Sequence, residues 1–168
     1  MISLVLGGAR SGKSAVAERR ATALAEGGTV FFMATGNPDS DEDFTARVRA
    51  HQARRDGSWL TVEAGAGLTE SLAGVEPPDA TVLIDSLGTW VSSQPGFAVD
   101  VDDFVALLRA RTGPTVVVSE EVGLGVHPST EPGRRFRDAL GELNQAVAHV
   151  ADEVVLVVAG RVLPLALP

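Results

Sequence analysis

Short apolar runs alternate with longer amphipathic stretches along the chain of 168 residues. The runs around Val5, Val82, Val116 and Val155 are continuous rather than alternating, which is typical of strands buried on both faces of a parallel sheet. The predicted strands span residues 1–6, 29–34, 59–62, 81–84, 115–118 and 154–158, with an edge strand at 162–165 that Pro164 ends. The amphipathic stretches predict helices at 15–26, 41–55, 102–111 and 134–150.

The connections between these elements are short and carry Gly, Pro or acidic residues. Residues 65–78 are predicted as a loop containing one helical piece, and residues 94–97 and 123–133 as loops. No repeat, low-complexity segment or linker interrupts the pattern. It therefore predicts an α/β fold in a single domain over residues 1–168, with three layers and a mainly parallel sheet.

Composition excludes several classes of protein. Hydrophobic residues make up 45% and charged residues 21% of the chain, which argues against a disordered chain and a coiled coil. No apolar run approaches the roughly 20 residues of a membrane-spanning helix, and the apolar N-terminus is too short for a signal peptide. Cysteine is absent, so disulfides, thiolate metal sites and a cysteine nucleophile are excluded. We expect a cytoplasmic protein.

The net charge of −8 also narrows the possible partners. An acidic chain lacks the broad cationic surface that nucleic acids and anionic membranes require, so we expect neither as a partner. Arginine supplies every positive side chain except Lys13, the only lysine. The place where that lysine stands is informative.

Lys13 lies in a complete phosphate-loop motif, G-x-x-x-x-G-K-[ST], between a predicted strand and a predicted helix. The motif residues are Gly7, Gly8, Ala9, Arg10, Ser11, Gly12, Lys13 and Ser14. In such a loop the backbone N–H groups and the helix N-terminus surround phosphate. Lys13 is expected to reach the β- and γ-phosphates, and the Ser14 hydroxyl to bind Mg²⁺. The motif predicts nucleotide binding and leaves the reaction open.

Asp85 follows the buried run at residues 81–84. At the carboxyl end of a parallel strand its carboxylate is placed to bind Mg²⁺, directly or through water. The alternative is that Asp85 only caps the following helix. The phosphate loop upstream favours the metal role.

One face of the predicted helix at 41–55 combines residue types that are unusual together. It carries two apolar residues, one histidine and three arginines. These residues are Phe44, Arg47, Val48, His51, Arg54 and Arg55. Such a face suits an anion site, and His51 is a possible nucleophile in phosphoryl or nucleotidyl transfer. From the helix alone, a solvated basic face with a half-buried histidine is the preferred interpretation.

The loop that follows the strand at 115–118 contains two acids, two glycines and a proline. Its position at the carboxyl end of a buried strand indicates the wall of a site. Glu120 or Glu121 is placed to orient a water, a hydroxyl or Mg²⁺, the alternative being an exposed acidic turn. His127 and His149 are weaker candidates for ligand contact.

Taken together, these motifs and several others resemble the family of bifunctional adenosylcobinamide kinases/adenosylcobinamide-phosphate guanylyltransferases of cobalamin biosynthesis. The resemblance covers nearly the whole chain. The matching stretches are GGARSGKS at 7–14, ATG at 34–36, residues 47–51, WLTVE at 59–63, DSLGTW at 85–90, EVGLG at 121–125 and residues 134–144.

The resemblance implies two reactions. ATP or GTP would phosphorylate a hydroxyl of the corrinoid adenosylcobinamide, and GTP would then donate GMP to the product through a guanylylated histidine, with release of pyrophosphate. His51 matches that histidine, and Lys13 is the second catalytic residue. The nucleotide-binding positions it implies beyond the phosphate loop are Ala34, Thr35, Gly36, Gln52, Ala53, Arg54, Arg55, Glu63 and Asp85. Glu63 suits guanine, whose N1–H and N2–H₂ groups are donors.

The resemblance further implies a RecA-like P-loop fold, Mg²⁺ as cofactor and a homotrimer. The chain differs from the family's usual pattern at Glu120, where Asn is usual, at Ser86, where Cys is common, and at His127, where an apolar residue is usual. The alternatives are a monofunctional P-loop small-molecule kinase, a RecA-like regulatory ATPase and a non-catalytic nucleotide-binding subunit. The intact Lys13, Ser14 and Asp85 argue against the last of these.

Overall fold

The computed structural model describes residues 1–36 and 58–167. The strands are β1 (Ile2–Gly7), β2 (Val30–Ala34), β3 (Trp59–Glu63), β4 (Thr81–Asp85), β5 (Thr115–Glu120), β6 (Glu153–Val158) and β7 (Arg161–Pro164). The helices are α1 (Lys13–Ala25), α2 (Leu68–Ala73), α3 (Leu87–Ser93), α4 (Val101–Ala110) and α5 (Glu131–Val150), with a 3₁₀ turn at Pro95–Phe97. The predicted helix at 41–55 lies outside the described residues.

The seven described strands form one sheet in the order β3-β2-β4-β5-β1-β6-β7. All neighbouring pairs are parallel except β6 and β7, which are antiparallel. β1 is buried along its whole length, and β4 and β5 are buried up to their last residue. The continuous apolar runs therefore predicted the central strands correctly, because both of their faces are covered.

Helices cover the sheet on two sides and give three layers, as predicted. Alternate residues of each strand point to opposite faces. On one face Val5 and Val118 pack with Val16 and Ala17 of α1. On the other face a larger core joins strand residues such as Leu4 to buried side chains of α2, α3, α4 and α5. In the described ranges, no helix is long and apolar enough to cross a bilayer.

One helix begins within a predicted loop, and another was not predicted from the sequence. α5 begins at Glu131, inside the predicted loop, because Thr130 caps it by accepting a hydrogen bond from the Gly133 N–H at 3.2 Å. Pro132 in the first turn is compatible with this start, since the N–H it lacks needs no helical partner there. α3 was not predicted from the sequence. It is a short helix with glycine and β-branched residues in it, and neither favours a helix.

Burial lowers the pKa of the Arg111 guanidinium. Its side chain donates hydrogen bonds to the Ala80 carbonyl at 2.7 Å and to the Thr115 hydroxyl at 3.2 Å. These partners lie at the amino-terminal ends of β4 and β5. Arg111 therefore links the two strands at the end of the sheet opposite the phosphate loop. Its role there is structural.

Candidate functional site

The carboxyl ends of the parallel strands bring several predicted site residues to one edge of the sheet. Gly7 at the end of β1 is in register with Glu120 of β5. Ala34 of β2 is in register with Asp85 of β4 and with Glu63 of β3. In open α/β sheets this edge is where ligands bind.

The phosphate loop joins β1 to α1 in a tight turn that requires glycine at positions 7 and 12. A Cβ on Gly7 would lie 2.5 Å from the Ser11 Oγ and 2.9 Å from the Val157 carbonyl oxygen. Gly12 has a φ of +94°, in the left-handed region that glycine adopts without strain. The Gly160 N–H donates a hydrogen bond to the Ser11 carbonyl at 2.8 Å. This hydrogen bond connects the turn between β6 and β7 to the phosphate loop.

The N-terminus of α1 is suited to an anion. Within the described ranges no side chain caps it, and its first turn contains no acidic residue. No side chain therefore competes for its first N–H groups there, and the helix dipole favours negative charge at this end. The buried Ser11 Oγ also has no hydrogen-bond partner in the described part of the chain. These features fit the phosphate-binding role predicted for residues 7–14.

Lys13 is largely buried, with 12% of its side chain exposed. Its Nζ lies 3.2 Å from the Glu120 Oε1 and 3.5 Å from the Gly8 carbonyl oxygen. The ammonium group is therefore held across the loop, between β1 and the end of β5. A phosphate bound in the loop would meet this charge directly.

The end of β2 is tied to the end of β4 by Thr35. Its hydroxyl donates a hydrogen bond to the Ser86 carbonyl at 2.7 Å and accepts one from the Ser86 N–H at 2.8 Å. Thr35 is 1% exposed, so its side chain acts as a buried brace between the two strands. A role of Thr35 in nucleotide binding stays a prediction, as it does for Ala34 and Gly36 beside it.

Ser86 rather than Asp85 caps α3. The Ser86 side chain accepts from the Thr89 N–H, and the Thr89 side chain accepts from the Ser86 N–H, which forms a capping box. The alternative role considered for Asp85, capping the next helix, is therefore filled by its neighbour. Asp85 is half-buried at the end of β4.

Ser14 and Asp85 fit the chemistry of a magnesium site. Ser14 lies in the first turn of α1, and α1 packs against β4, which ends at Asp85. A hydroxyl and a carboxylate are oxygen ligands of the kind that Mg²⁺ uses together with nucleotide phosphates and water. Within residues 1–36 and 58–167 no group of three or more His, Cys, Asp or Glu side chains forms a metal site. A magnesium role of this pair stays a prediction, in which nucleotide phosphates and water would supply the other ligands.

The remaining predicted residues lie farther from the phosphate loop or outside the described part of the chain. Glu63 is exposed at the end of β3. β2, β4 and β5 separate β3 from β1, so Glu63 is roughly 19 Å from the loop if neighbouring strands are about 4.8 Å apart. The predicted nucleophile and its four neighbours lie outside the described residues, so their roles stay predictions. These residues are His51, Gln52, Ala53, Arg54 and Arg55.

Three residues to which the sequence assigned no site role support the site. The Ser86 hydroxyl and the Gly88 N–H both donate to the Glu120 carboxylate. The Asn144 Nδ2 donates to the Glu120 carbonyl at 3.1 Å. A polar residue on the buried face of the amphipathic α5 is a signal that periodicity analysis detects. No local pattern predicts contacts between Glu120 and the start of α3.

Structural comparison gives the fold of the chain. The flagellar accessory protein FlaH of Methanocaldococcus jannaschii superposes with a TM-score of 0.55 over 96% of this chain and 74% of FlaH, at 14% identity. A KaiC-like protein of Pyrococcus horikoshii also gives 0.55, over 92% of this chain and 71% of that protein, at 15% identity. The likeness confirms the predicted RecA-like P-loop fold.

Sequence comparison gives the family. The bifunctional adenosylcobalamin biosynthesis protein CobP of Pseudomonas aeruginosa is 36% identical over 172 residues, covering 98% of this chain and 97% of its own. The proteins named CobU in Escherichia coli and Salmonella typhimurium are 31% and 33% identical, each over 95% of this chain and 97% of its own. Residues 3–165 match the family described as cobinamide kinase / cobinamide phosphate guanyltransferase. The chain belongs to this CobU family, as its motifs predicted.

Proposed function

We propose that this protein phosphorylates adenosylcobinamide with ATP or GTP and then transfers GMP from GTP to the phosphorylated product. The observation that carries the proposal is the phosphate loop, in which no side chain caps the N-terminus of α1 and the Lys13 ammonium group lies 3.5 Å from the Gly8 carbonyl oxygen. Membership of the CobU family supports the choice of acceptor and the order of the two reactions. A single domain over residues 1–168 carries both steps.

In the kinase step, the acceptor hydroxyl attacks the γ-phosphorus of the nucleotide. A new P–O bond forms, the bond to the β-phosphate bridging oxygen breaks, and the hydroxyl proton is released. Lys13 and the N–H groups at the start of α1 stabilise the charge on the phosphates. Ser14 and Asp85 would hold Mg²⁺, which when bound would neutralise further phosphate charge.

In the transfer step, we assign His51 as the nucleophile, on the basis of the resemblance between residues 47–51 and the family motif. Its imidazole nitrogen attacks the α-phosphorus of GTP and releases pyrophosphate. The phosphate group of the acceptor then attacks the phosphoramidate and regenerates the histidine. A homotrimeric assembly and a cytoplasmic location stay predictions.

The proposal is tested with the purified wild-type protein, adenosylcobinamide, and GTP labelled in the α- or γ-phosphate. We expect γ-label to appear in adenosylcobinamide phosphate and α-label in adenosylcobinamide-GDP, with release of pyrophosphate. A monofunctional kinase would give the first product alone. A regulatory ATPase would hydrolyse nucleotide without labelling the corrinoid, and that result would refute the proposal.

We also expect Glu63 to favour guanine over adenine in the transfer step. A carboxylate accepts hydrogen bonds from the N1–H and N2–H₂ groups of guanine, whereas adenine presents no matching pair of donors. Glu63→Ala should reduce the preference for GTP by roughly tenfold or more, as expected for lost hydrogen bonds to a charged group. Calorimetric competition between GTP and ATP measures this preference.

Glu142→Ala is the matched control for this measurement, because Glu142 is an exposed carboxylate on α5. It removes the same charge from the chain and should leave the preference unchanged. Equal affinity of the wild type for GTP and ATP, unaltered in Glu63→Ala, would show that Glu63 does not contact the base.

A further inference from the structure

Glu120 lies between the phosphate loop and the start of α3, and its carboxylate contacts both. The Oε1 atom lies 3.2 Å from the Lys13 Nζ. The Ser86 Oγ lies 3.0 Å from each carboxylate oxygen, and the Gly88 N–H donates to Oε2 at 3.1 Å. The side chain of Glu120 is 26% exposed, so these contacts are partly shielded from water.

The start of α3 is shaped to receive this carboxylate. A Cβ on Gly88 would overlap the Glu120 carboxylate, so any larger residue there would force the Glu120 side chain to move. The backbone of Glu120 is fixed as well, because its carbonyl accepts a hydrogen bond from Asn144. The adjacent Glu121 turns elsewhere, and its Oε1 accepts from the Gly123 N–H at 2.7 Å.

The Glu120 carboxylate contacts Lys13 on one side and the start of α3 on the other. The groups on these two sides differ in how easily they can move. The contacts on the α3 side involve a backbone N–H and the short side chain of Ser86, which also caps the helix. Lys13 holds its ammonium group on a flexible four-carbon stem. Its other contact in the described part of the chain, with the Gly8 carbonyl, is long at 3.5 Å. Lys13 is therefore the group that can change partners.

We propose that Glu120 is the resting counter-ion of Lys13 and that it sets the nucleotide affinity of the phosphate loop. When a nucleotide phosphate enters the loop, Lys13 pairs with the phosphate instead of with Glu120. The Glu120 carboxylate continues to accept hydrogen bonds from Ser86 and Gly88. The loss of the ion pair with Lys13 weakens nucleotide binding. As the product nucleotide leaves, the pair between Lys13 and Glu120 forms again and favours release. The inference rests on the proposed function, since it takes the loop as the nucleotide site.

The test is Glu120→Gln, which removes the charge but keeps an oxygen that accepts from Ser86 and Gly88. We expect the Kd for GTP, measured by calorimetry, to fall about tenfold, because the phosphate no longer competes with a charge-assisted pair. The release of GDP, measured by stopped flow, should slow by a similar factor. Glu142→Gln makes the same change in net charge at an exposed position of α5 and should alter neither value.

A double-mutant cycle separates this role from simple repulsion between Glu120 and phosphate. In a Lys13→Ala background, Glu120→Gln should change the Kd by less than about twofold, because Glu120 acts through Lys13. A tenfold gain in GTP affinity in that background would show that Glu120 does not act through Lys13, and it would overturn the proposal. Circular dichroism verifies folding, and Glu120→Ala replaces the Gln variant if the latter does not fold.

The outcomes also separate this inference from the proposed function. If Glu120→Gln binds GTP as the wild type does, the counter-ion role is wrong while nucleotide binding stands. If the wild type and the Glu120 variants all fail to bind GTP, the proposed function and the inference fail together.

Discussion

Replacing His51 by Asn is expected to abolish guanylyl transfer while phosphoryl transfer to adenosylcobinamide persists. Asn has roughly the size and polarity of His, but it has no ring nitrogen that can form a phosphoramidate. The GMP intermediate therefore cannot form, and we expect transfer activity to fall below detection. The kinase step should persist, because in the proposed mechanism the acceptor hydroxyl attacks the γ-phosphate directly at the phosphate loop.

Mass spectrometry of the wild type incubated with GTP should show added GMP on the peptide containing His51. The label should be acid-labile and base-stable, as a phosphoramidate is. His149→Asn is the matched control, since His149 is exposed on α5, and it should retain both the label and the transfer activity. GMP on His127 or His149, or active enzyme without any GMP adduct, would refute the assignment of His51.

The sequence predicted the sheet well because hydrophobic burial determines its central strands. β1, β4 and β5 are covered on both faces, and such strands need continuous apolar runs. α3 could not be predicted in the same way. Its sequence LGTWVSS has low helical propensity, and tertiary packing of Leu87, Trp90 and Val91 stabilises it instead. Local propensity is a weak guide where packing decides.

The site was predictable where its residues are contiguous in sequence. The phosphate loop needs residues 7–14 at fixed spacing, so a motif identifies all of them at once. Glu120 was identified as a residue of the site wall, but its pairing with Lys13 was not. That contact depends on the parallel pairing of β1 with β5, which places Glu120 beside Gly7. Strand register of this kind is a property of the folded sheet and leaves no local signal.

Because both reactions use a nucleotide triphosphate, Lys13→Ala is expected to lower kinase and guanylyltransferase activity together, by about 100-fold or more. That is the loss typical of removing one preorganised group that stabilises transition-state charge. Lys13 precedes the buried residues of α1 and belongs to neither hydrophobic core. Glu120 should keep the hydrogen bonds that it accepts from Ser86 and Gly88. The fold should therefore survive.

We expect the melting temperature of Lys13→Ala to stay within about 6 °C of the wild type, since a single ion pair worth about tenfold in Kd contributes about 1.4 kcal/mol. Steady-state assays measure the activity, and circular dichroism measures the melting. Lys13 is the only lysine, so the charge-matched control is Arg109→Ala, at an exposed position of α4. Arg109→Ala should keep full activity. A folded Lys13→Ala enzyme that retains most of either activity would show that the phosphate loop does not serve that reaction.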